Sequence, residues 1–301
     1  MSANGEKSKD MSTDDTTHRS SVEAVDPPRA SKVAGPLRST MLLVGVAAGL
    51  GAHSAHATKH VPQVLPFKVA KIYFETNASA CDMGIQIVFD TEGIKYGEFK
   101  NPSGDTIHTV SARNGLFGIV GQTEGFLESV EPVIRELVSA NHDCEADPEE
   151  PIITLSRLRH LFPPGRYEFF GVAKDGAKFK GADRLTYCIP DGPVLGNPNG
   201  LDNRPADQPL TIHWQPVTQT IPGVPNGCRQ PLSIVGYQVL VYDANAGESP
   251  QEFNVTVPGD QTSVTVPSQF LQPRTEYNIE VLAIESSGNQ TITEGSFSTG
   301  Q

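Results

Sequence analysis

Two short acidic stretches carry side chains whose types and spacing could bind a cation. The six oxygen-bearing side chains fall into two groups, Glu75, Asn77 and Asp82 in one and Glu124, Glu128 and Glu131 in the other. If the two stretches meet in space, these hard oxygen ligands could hold calcium, which accepts irregular coordination geometry. The spacing does not follow the twelve-residue EF-hand loop, so a solvated acidic surface is the favoured interpretation. A metal-dependent hydrolase with an acidic site in this N-terminal region is the alternative.

Complete catalytic motifs are absent from the sequence. There is no Gly-x-Ser-x-Gly elbow, no His-Glu-x-x-His zinc helix and no glycine-rich phosphate loop. We therefore expect no catalytic residues and a protein that is not an enzyme.

The N-terminus has the organisation of an export signal. Residues 1–40 show almost no apolar periodicity and are predicted to be disordered. Residues 41–57, MLLVGVAAGLGAHSAHA, follow basic residues and end in the small-x-small pattern Ala55-His56-Ala57, which is typical of a cleaved signal peptide. No later stretch is long and apolar enough to span a bilayer. The mature chain is expected to be exported, to the periplasm, the cell surface or the medium.

Cleavage after Ala57 would create a second candidate metal site. The new terminus would read Thr58-Lys59-His60, with a free amine and a histidine at the third position. The amine, two amide nitrogens and one imidazole nitrogen then form the planar four-nitrogen set that Cu(II) or Ni(II) prefers. Coincidence is the favoured interpretation of this arrangement.

Charge and cysteine content narrow the class of partner and the compartment. The 301 residues include 23 Lys and Arg against 35 Asp and Glu, a net charge of −12, which argues against a nucleic-acid or anionic-membrane partner. Four cysteines follow the signal, and an even count in an oxidising compartment favours disulfides. They are too far apart in the sequence for a zinc knuckle.

The elements that must position these residues are mainly β. Gly and Pro are frequent, with 28 and 24 copies, which is typical of many short strands joined by turns. Residues 64–190 are predicted to form a β-rich domain with one or two short helices. The helices are expected over Glu131–Val138 and over Thr154–Phe162, the second capped by Thr154.

Residues 191–301 carry a more specific pattern. Alternating apolar residues mark several strands, with Trp214 in an early strand, Tyr237 in the next and the string LQPRTEYNIEVLA from Leu271 to Ala283. This order and spacing resembles a fibronectin type III domain. The resemblance implies a Greek-key β-sandwich with Trp214 between its sheets, and a tyrosine corner in which the Tyr277 hydroxyl bonds to backbone near Leu271.

The resemblance also implies a disulfide pairing. In such a sandwich the entry to the domain and the loop between its second and third strands lie at the same pole, which places Cys188 near Cys228 and leaves Cys81 for Cys144. Other pairings stay open at this point.

The ordered strings ETNASACDMGIQ, TEGFLESVEP and RLRHLFPPGRYEFFG, followed by the fibronectin-like part, are similar to exported bacterial fibronectin type III domain-containing proteins of undefined activity. The resemblance implies no catalytic activity. The leading hypothesis is an exported, non-enzymatic protein of the cell envelope or extracellular space that binds another protein or a glycan. The metal-dependent hydrolase and a purely structural spacer are the alternatives.

Overall fold

A computed structural model of the chain describes residues 64–119, 121–141, 144–196, 203–246 and 251–300. Over these residues the chain is mainly β, with short helices, and the predicted fold class is confirmed. The disordered extension, the export signal and the Thr58-Lys59-His60 site lie outside the described residues. No helix in the described ranges combines the length and the apolar character needed to cross a membrane.

The N-terminal part packs two sheets around an aromatic core. Its strands are β1 (Val64–Pro66), β2 (Val69–Asn77), β3 (Asp82–Ile94), β4 (Tyr96–Lys100), β5 (Thr106–Ser111), β6 (Gln122–Glu128), β7 (Val133–Ile134), β8 (Ile152–Ile153), β9 (Gly165–Val172) and β10 (Lys178–Leu185). One sheet has the order β1-β10-β9-β4-β5, and β2 and β3 belong to the other. Alternate residues point inward, so Phe74, Phe99 and Phe169 lie buried between the sheets.

The helices of this part are α1 (Asn114–Ile119), α2 (Arg135–Ala140) and α3 (Leu155–Leu161). Helix α3 begins as predicted, because the Thr154 hydroxyl accepts the backbone N–H of Arg157 at 3.1 Å. The helix expected from Glu131 starts only at Arg135. Its first residues instead form β7, where Val133 and Ile134 are buried and pair with β8. Local helix propensity is overridden there by burial in the sheet.

The C-terminal part is a two-sheet sandwich. Its strands are β11 (Leu210–His213), β12 (Ile234–Asp243), β13 (Glu252–Pro258), β14 (Ser263–Val266), β15 (Glu276–Glu285) and β16 (Gln290–Ser298). Strands β11 and β14 form one sheet, and β13-β12-β15-β16 form the other. A complete sandwich of this kind has seven strands. Among the described residues, a single β-bridge between Leu195 and Trp214 takes the place of the seventh.

The aromatic residues singled out in the sequence lie in this sandwich. Trp214 is buried with its ring 5.2 Å from that of Tyr237, whose hydroxyl accepts the N–H of Val217 at 2.8 Å. Tyr277 is also buried, and its hydroxyl accepts the N–H of Gln272 at 2.7 Å, one residue beyond Leu271. This contact ties the turn before β15 to the core.

Strand pairing continues from one part into the other. Strand β16 runs parallel to β2, with Gln290 opposite Glu75 and Ile292 opposite Asn77. The larger sheet therefore crosses the domain boundary expected at residue 190, and that boundary stays a prediction. The turn before β16 inserts Asn289 into the N-terminal part, where it is 1% exposed.

Two disulfides are present, Cys81–Cys144 and Cys188–Cys228, which are the pairs implied by the resemblance. The second joins the segment after β10 to the long loop between β11 and β12. Ile221 and Val224 of that loop are buried in the core of the N-terminal part. The loop thus connects the two cores.

Candidate functional site

The outer face of β2, β3 and β6 carries an acidic cluster, defined here as Glu75, Glu128 and Glu131. Side chains alternate across a strand, so Glu75 points away from the core that Phe74 enters. Glu75 lies opposite Gly84 in the β2–β3 pair. A Cβ at position 84 would lie 2.7 Å from Cγ of Glu131, so the glycine leaves the space that this side chain fills.

The three carboxylates converge closely. One oxygen from each lies within 4.8 Å of the others, which is about twice a Ca²⁺–oxygen distance. Gln290 donates to Glu75, and Gln86 donates to Glu128 with 2.9 Å between Nε2 and Oε1. Glu75 is only 9% exposed. The cluster can hold protons or one hard cation between its oxygens.

Burial disfavours the charged forms of Glu75 and Glu131. It raises the pKa of Glu131 to about 8 and that of neighbouring Asp82 to about 7. The negative charges of Asp82 and Glu75 raise the pKa of Glu131 further, and those of Glu294 and Glu150 do the same for Asp82. Burial also raises the pKa of Glu75. Buried oxygens of Glu131 and Asp82 have no hydrogen-bond partner in the structure. None of the ion pairs formed by described residues involves the cluster.

The structure separates two of the residues grouped by the sequence. Asn77 instead caps the turn after β2, with its Oδ1 accepting the N–H of Ser79, and it donates to Glu294 at 2.7 Å. Glu124 lies on the same face of β6 as Glu128 but four residues away, roughly 13 Å along a strand. These two residues therefore do not join the cluster, because the turn and the strand register carry them elsewhere.

Sequence reasoning missed the amide partners of the cluster. Gln86 and Gln290 come from different parts of the chain, and Gln290 reaches Glu75 only because β16 pairs with β2. The sequence did carry a signal for Gln86, because this polar residue stands between Ile85 and Ile87, at a position that strand alternation points away from the core.

A larger cleft opens where β16 and β2 diverge. Its volume is about 1080 Å³, and it is lined by the turn after β2, helix α2, the segment from Asp191 to Leu195 and residues of β16. From Thr293 to Ser296, strand β16 pairs with no described strand on the side opposite β15, and the N–H of Glu294 there donates to the Ser79 hydroxyl at 3.0 Å. The backbone around the exposed Ser296 therefore forms a short accessible sheet edge at the cleft.

The cleft is acidic. Its lining includes Glu145, Asp191 and Glu294 and, among the described residues, no lysine, arginine or histidine. Burial raises the pKa of Asp191, which accepts the N–H of Gly192 at 2.9 Å. Leu137 and Ile221 give it an apolar floor. The arrangement suits an extended chain with a cationic side chain.

Comparison with known proteins identifies the C-terminal fold. No curated protein sequence matches the chain. Among solved structures, it is similar to the FN1-FN3 domains of chicken CNTN1, with 13% identity, a TM-score of 0.31 and coverage of 80% of this chain and 66% of that one, which is just under two thirds. A two-domain fibronectin type-III segment of chicken tenascin has 13% identity, a TM-score of 0.26 and coverage of 77% and 99%.

The fn3 domain of human collagen alpha-1(XX) has 23% identity, a TM-score of 0.25 and coverage of 37% and 83%. The sequence profile of the fibronectin type III domain matches residues 201–299. These residues include the buried Trp214 and the Tyr277 corner described above. Residues 201–299 are therefore a fibronectin type III domain.

Proposed function

We propose that this protein is a non-enzymatic binding protein that holds an extended segment of another protein in the acidic cleft. The observation that carries the proposal is the edge of β16 from Thr293 to Ser296, which borders the cleft and pairs with no described strand on that side. Fibronectin type III domains generally mediate binding or act as spacers. We accordingly assign the binding function to the surface formed by the acidic cleft and the edge of β16.

The physical basis is strand addition. An unpaired sheet edge offers backbone N–H and C=O groups to an incoming strand, which supplies affinity with little dependence on sequence. Specificity then comes from side-chain pockets. Because the cleft contains three carboxylates and no described cation, we expect the bound segment to carry lysine or arginine.

A peptide library tests this function. Random twelve-residue peptides displayed on phage are selected on the immobilised full chain. We expect enriched peptides to contain basic residues, and Ser296→Arg, which adds bulk and positive charge at the cleft, to abolish their binding. The control is Thr256→Arg, which makes the same change at an exposed position of β13, on the opposite edge of the sheet. Failure to enrich basic peptides, or equal loss in both variants, would contradict the proposal and favour a structural spacer.

We also propose that the protein acts outside the cytoplasm, as in the exported bacterial proteins that its sequence resembles. Two disulfides fit an oxidising compartment, and residues 41–57 have the pattern of an export signal. Mass spectrometry of the protein from its native cells should find Thr58 at the N-terminus. A cytosolic, uncleaved chain with four titratable thiols would contradict export. A different first residue would remove the copper or nickel site at Thr58-Lys59-His60.

A calcium site at the acidic cluster is the second candidate function. It is supported by the 4.8 Å grouping of three carboxylate oxygens and by the unpartnered Oε1 of Glu131. Calorimetry with CaCl₂ on the full chain should give one site with a Kd of about 0.1–1 mM, typical of extracellular modules. Glu131→Gln should abolish calcium binding. The control Glu124→Gln, on the same face of β6 as Glu128 but outside the cluster, should not. If the unaltered protein binds no calcium, both the calcium site and the hypothesis of a metal-dependent hydrolase at this cluster are contradicted.

A further inference from the structure

A second pocket is lined by positively charged side chains, whereas the cleft is lined by negatively charged ones. Its volume is about 260 Å³, and it lies where the end of β10, helix α3 and the loop Pro225–Arg229 meet. Three arginines, Arg159, Arg184 and Arg229, belong to its lining, which includes no Asp or Glu among the described residues. This pocket is therefore locally positive, although the chain as a whole has a net charge of −12.

Arg159 is the innermost of the three. Its guanidinium lies over the ring of Tyr187, with 4.1 Å between Cζ and the ring centroid. Its Nε is buried and has no hydrogen-bond partner. No ion pair between described residues involves Arg159, Arg184 or Arg229. A buried guanidinium donor without an acceptor is costly, so the pocket favours a ligand that supplies one.

The opposite wall is held in place by covalent and backbone contacts. The Cys188–Cys228 disulfide anchors the loop next to Arg229. Gly227 donates its N–H to the carbonyl of Tyr187 at 3.2 Å, and a Cβ at this glycine would lie 2.6 Å from the Tyr187 carbonyl carbon. The loop thus approaches the segment just after β10 closely enough to place Arg229 at the pocket that Arg159 and Arg184 line. Such fixed geometry lowers the entropic cost of binding.

The strand beside the pocket extends its positive potential. Lys178, Lys180 and Arg184 occupy alternating positions of β10 and therefore share its outer face. Arg166 lies directly opposite Arg184 on β9, where it pairs with Glu168 at 3.6 Å, so the lysines and Arg184 supply the excess positive charge of this face. This positive surface would attract an anion toward the pocket although the whole chain is acidic.

We propose that the Arg159–Arg184–Arg229 pocket binds a tetrahedral oxyanion, sulfate or phosphate, either free or as an ester on a larger ligand. Guanidinium groups match such anions through paired N–H donors. Three arginine charges are better balanced by a dianion than by a monovalent carboxylate. This site is separate from the acidic cleft, so its test does not depend on the proposed function.

Isothermal titration calorimetry on the full chain tests the site, with sodium sulfate and sodium phosphate as probes and NaCl adjusted to constant ionic strength. We expect saturable binding of both anions and weaker binding of acetate. The double variant Arg184→Gln/Arg229→Gln should weaken binding about 10-fold or more, as expected when charged hydrogen bonds are lost. The matched control, Arg113→Gln/Arg157→Gln, removes two exposed arginines that do not line the pocket and should change the Kd by less than about 3-fold.

Glucose 6-sulfate and glucose 6-phosphate distinguish the two sources of the anion. Tighter binding of either ester than of its free anion assigns the site to a group carried on a larger ligand, and equal binding assigns it to the free ion. No saturable binding, equal loss in the two double variants, or acetate binding as tight as sulfate would overturn the proposal. Calorimetry is preferred to thermal shift because sulfate stabilises most proteins through surface exclusion.

Discussion

Asn289 is predicted to be the most important polar contact between the two parts of the molecule. It is 1% exposed, and its Oδ1 accepts the N–H of Phe74 at 2.9 Å. Its Nδ2 lies 3.0 Å from the carbonyl oxygen of Cys188 and 3.0 Å from the hydroxyl of Thr186. One side chain of the C-terminal hairpin therefore satisfies backbone groups on two segments of the N-terminal part.

Replacing this side chain leaves buried backbone groups without partners. In Asn289→Ala, the N–H of Phe74 and the C=O of Cys188 both lose their hydrogen bonds, and each such group costs about 1–3 kcal/mol. We expect the free energy of unfolding to fall by about 2–4 kcal/mol. In Asn289→Asp, a carboxylate oxygen would face carbonyl oxygens, so the loss should be at least as large.

Guanidinium denaturation of the full chain, followed by far-UV circular dichroism, measures this loss. The control is Asn245→Ala, at an exposed turn after β12, which should change stability by less than about 0.5 kcal/mol. The reasoning fails if Asn289→Ala is as stable as this control. It also fails if Asn289→Asp is as stable as the unaltered chain, because the amide would then not be required.

Three further predictions concern the sandwich, the second disulfide and pH. Tyr277→Phe removes the acceptor of a backbone N–H and should cost about 1–2 kcal/mol in urea denaturation; an unchanged midpoint would show that the corner is not stabilising. Cys188→Ser/Cys228→Ser opens a loop with a sequence separation of 40 and should cost about 4 kcal/mol by chain entropy, a loss that reduction of the unaltered protein should approach. Burial raises the pKa of Glu280 in the folded state above its value in the unfolded chain. The stability that the protonated carboxyl contributes is therefore present at low pH and is lost as pH rises through the raised pKa of the folded state. Glu280→Gln should therefore stabilise the protein at pH 8 by less than about 1 kcal/mol and have no such effect at pH 4, and equal effects at both would refute the assignment.

The fibronectin type III domain was predictable because its signals are local. Alternation of period 2 around Tyr237 and Val239 requires a half-buried strand whatever the rest of the chain does. The Thr154 cap of α3 is local in the same way. The helix expected from Glu131 was wrong at its start, since the burial of Val133 and Ile134 depends on a sheet assembled from distant segments.

Residue types and local periodicity by themselves determined the strands of the fibronectin type III domain and the presence of acidic side chains in two stretches. Only the tertiary structure decided which of those carboxylates meet, because strand register brings Glu128 to Glu75 and leaves Glu124 apart. The arginine pocket was equally inaccessible to sequence reasoning, since its three cations come from a helix, a strand and a loop. Such sites depend on long-range pairing, and pairing follows from burial of the whole chain rather than from neighbouring residues.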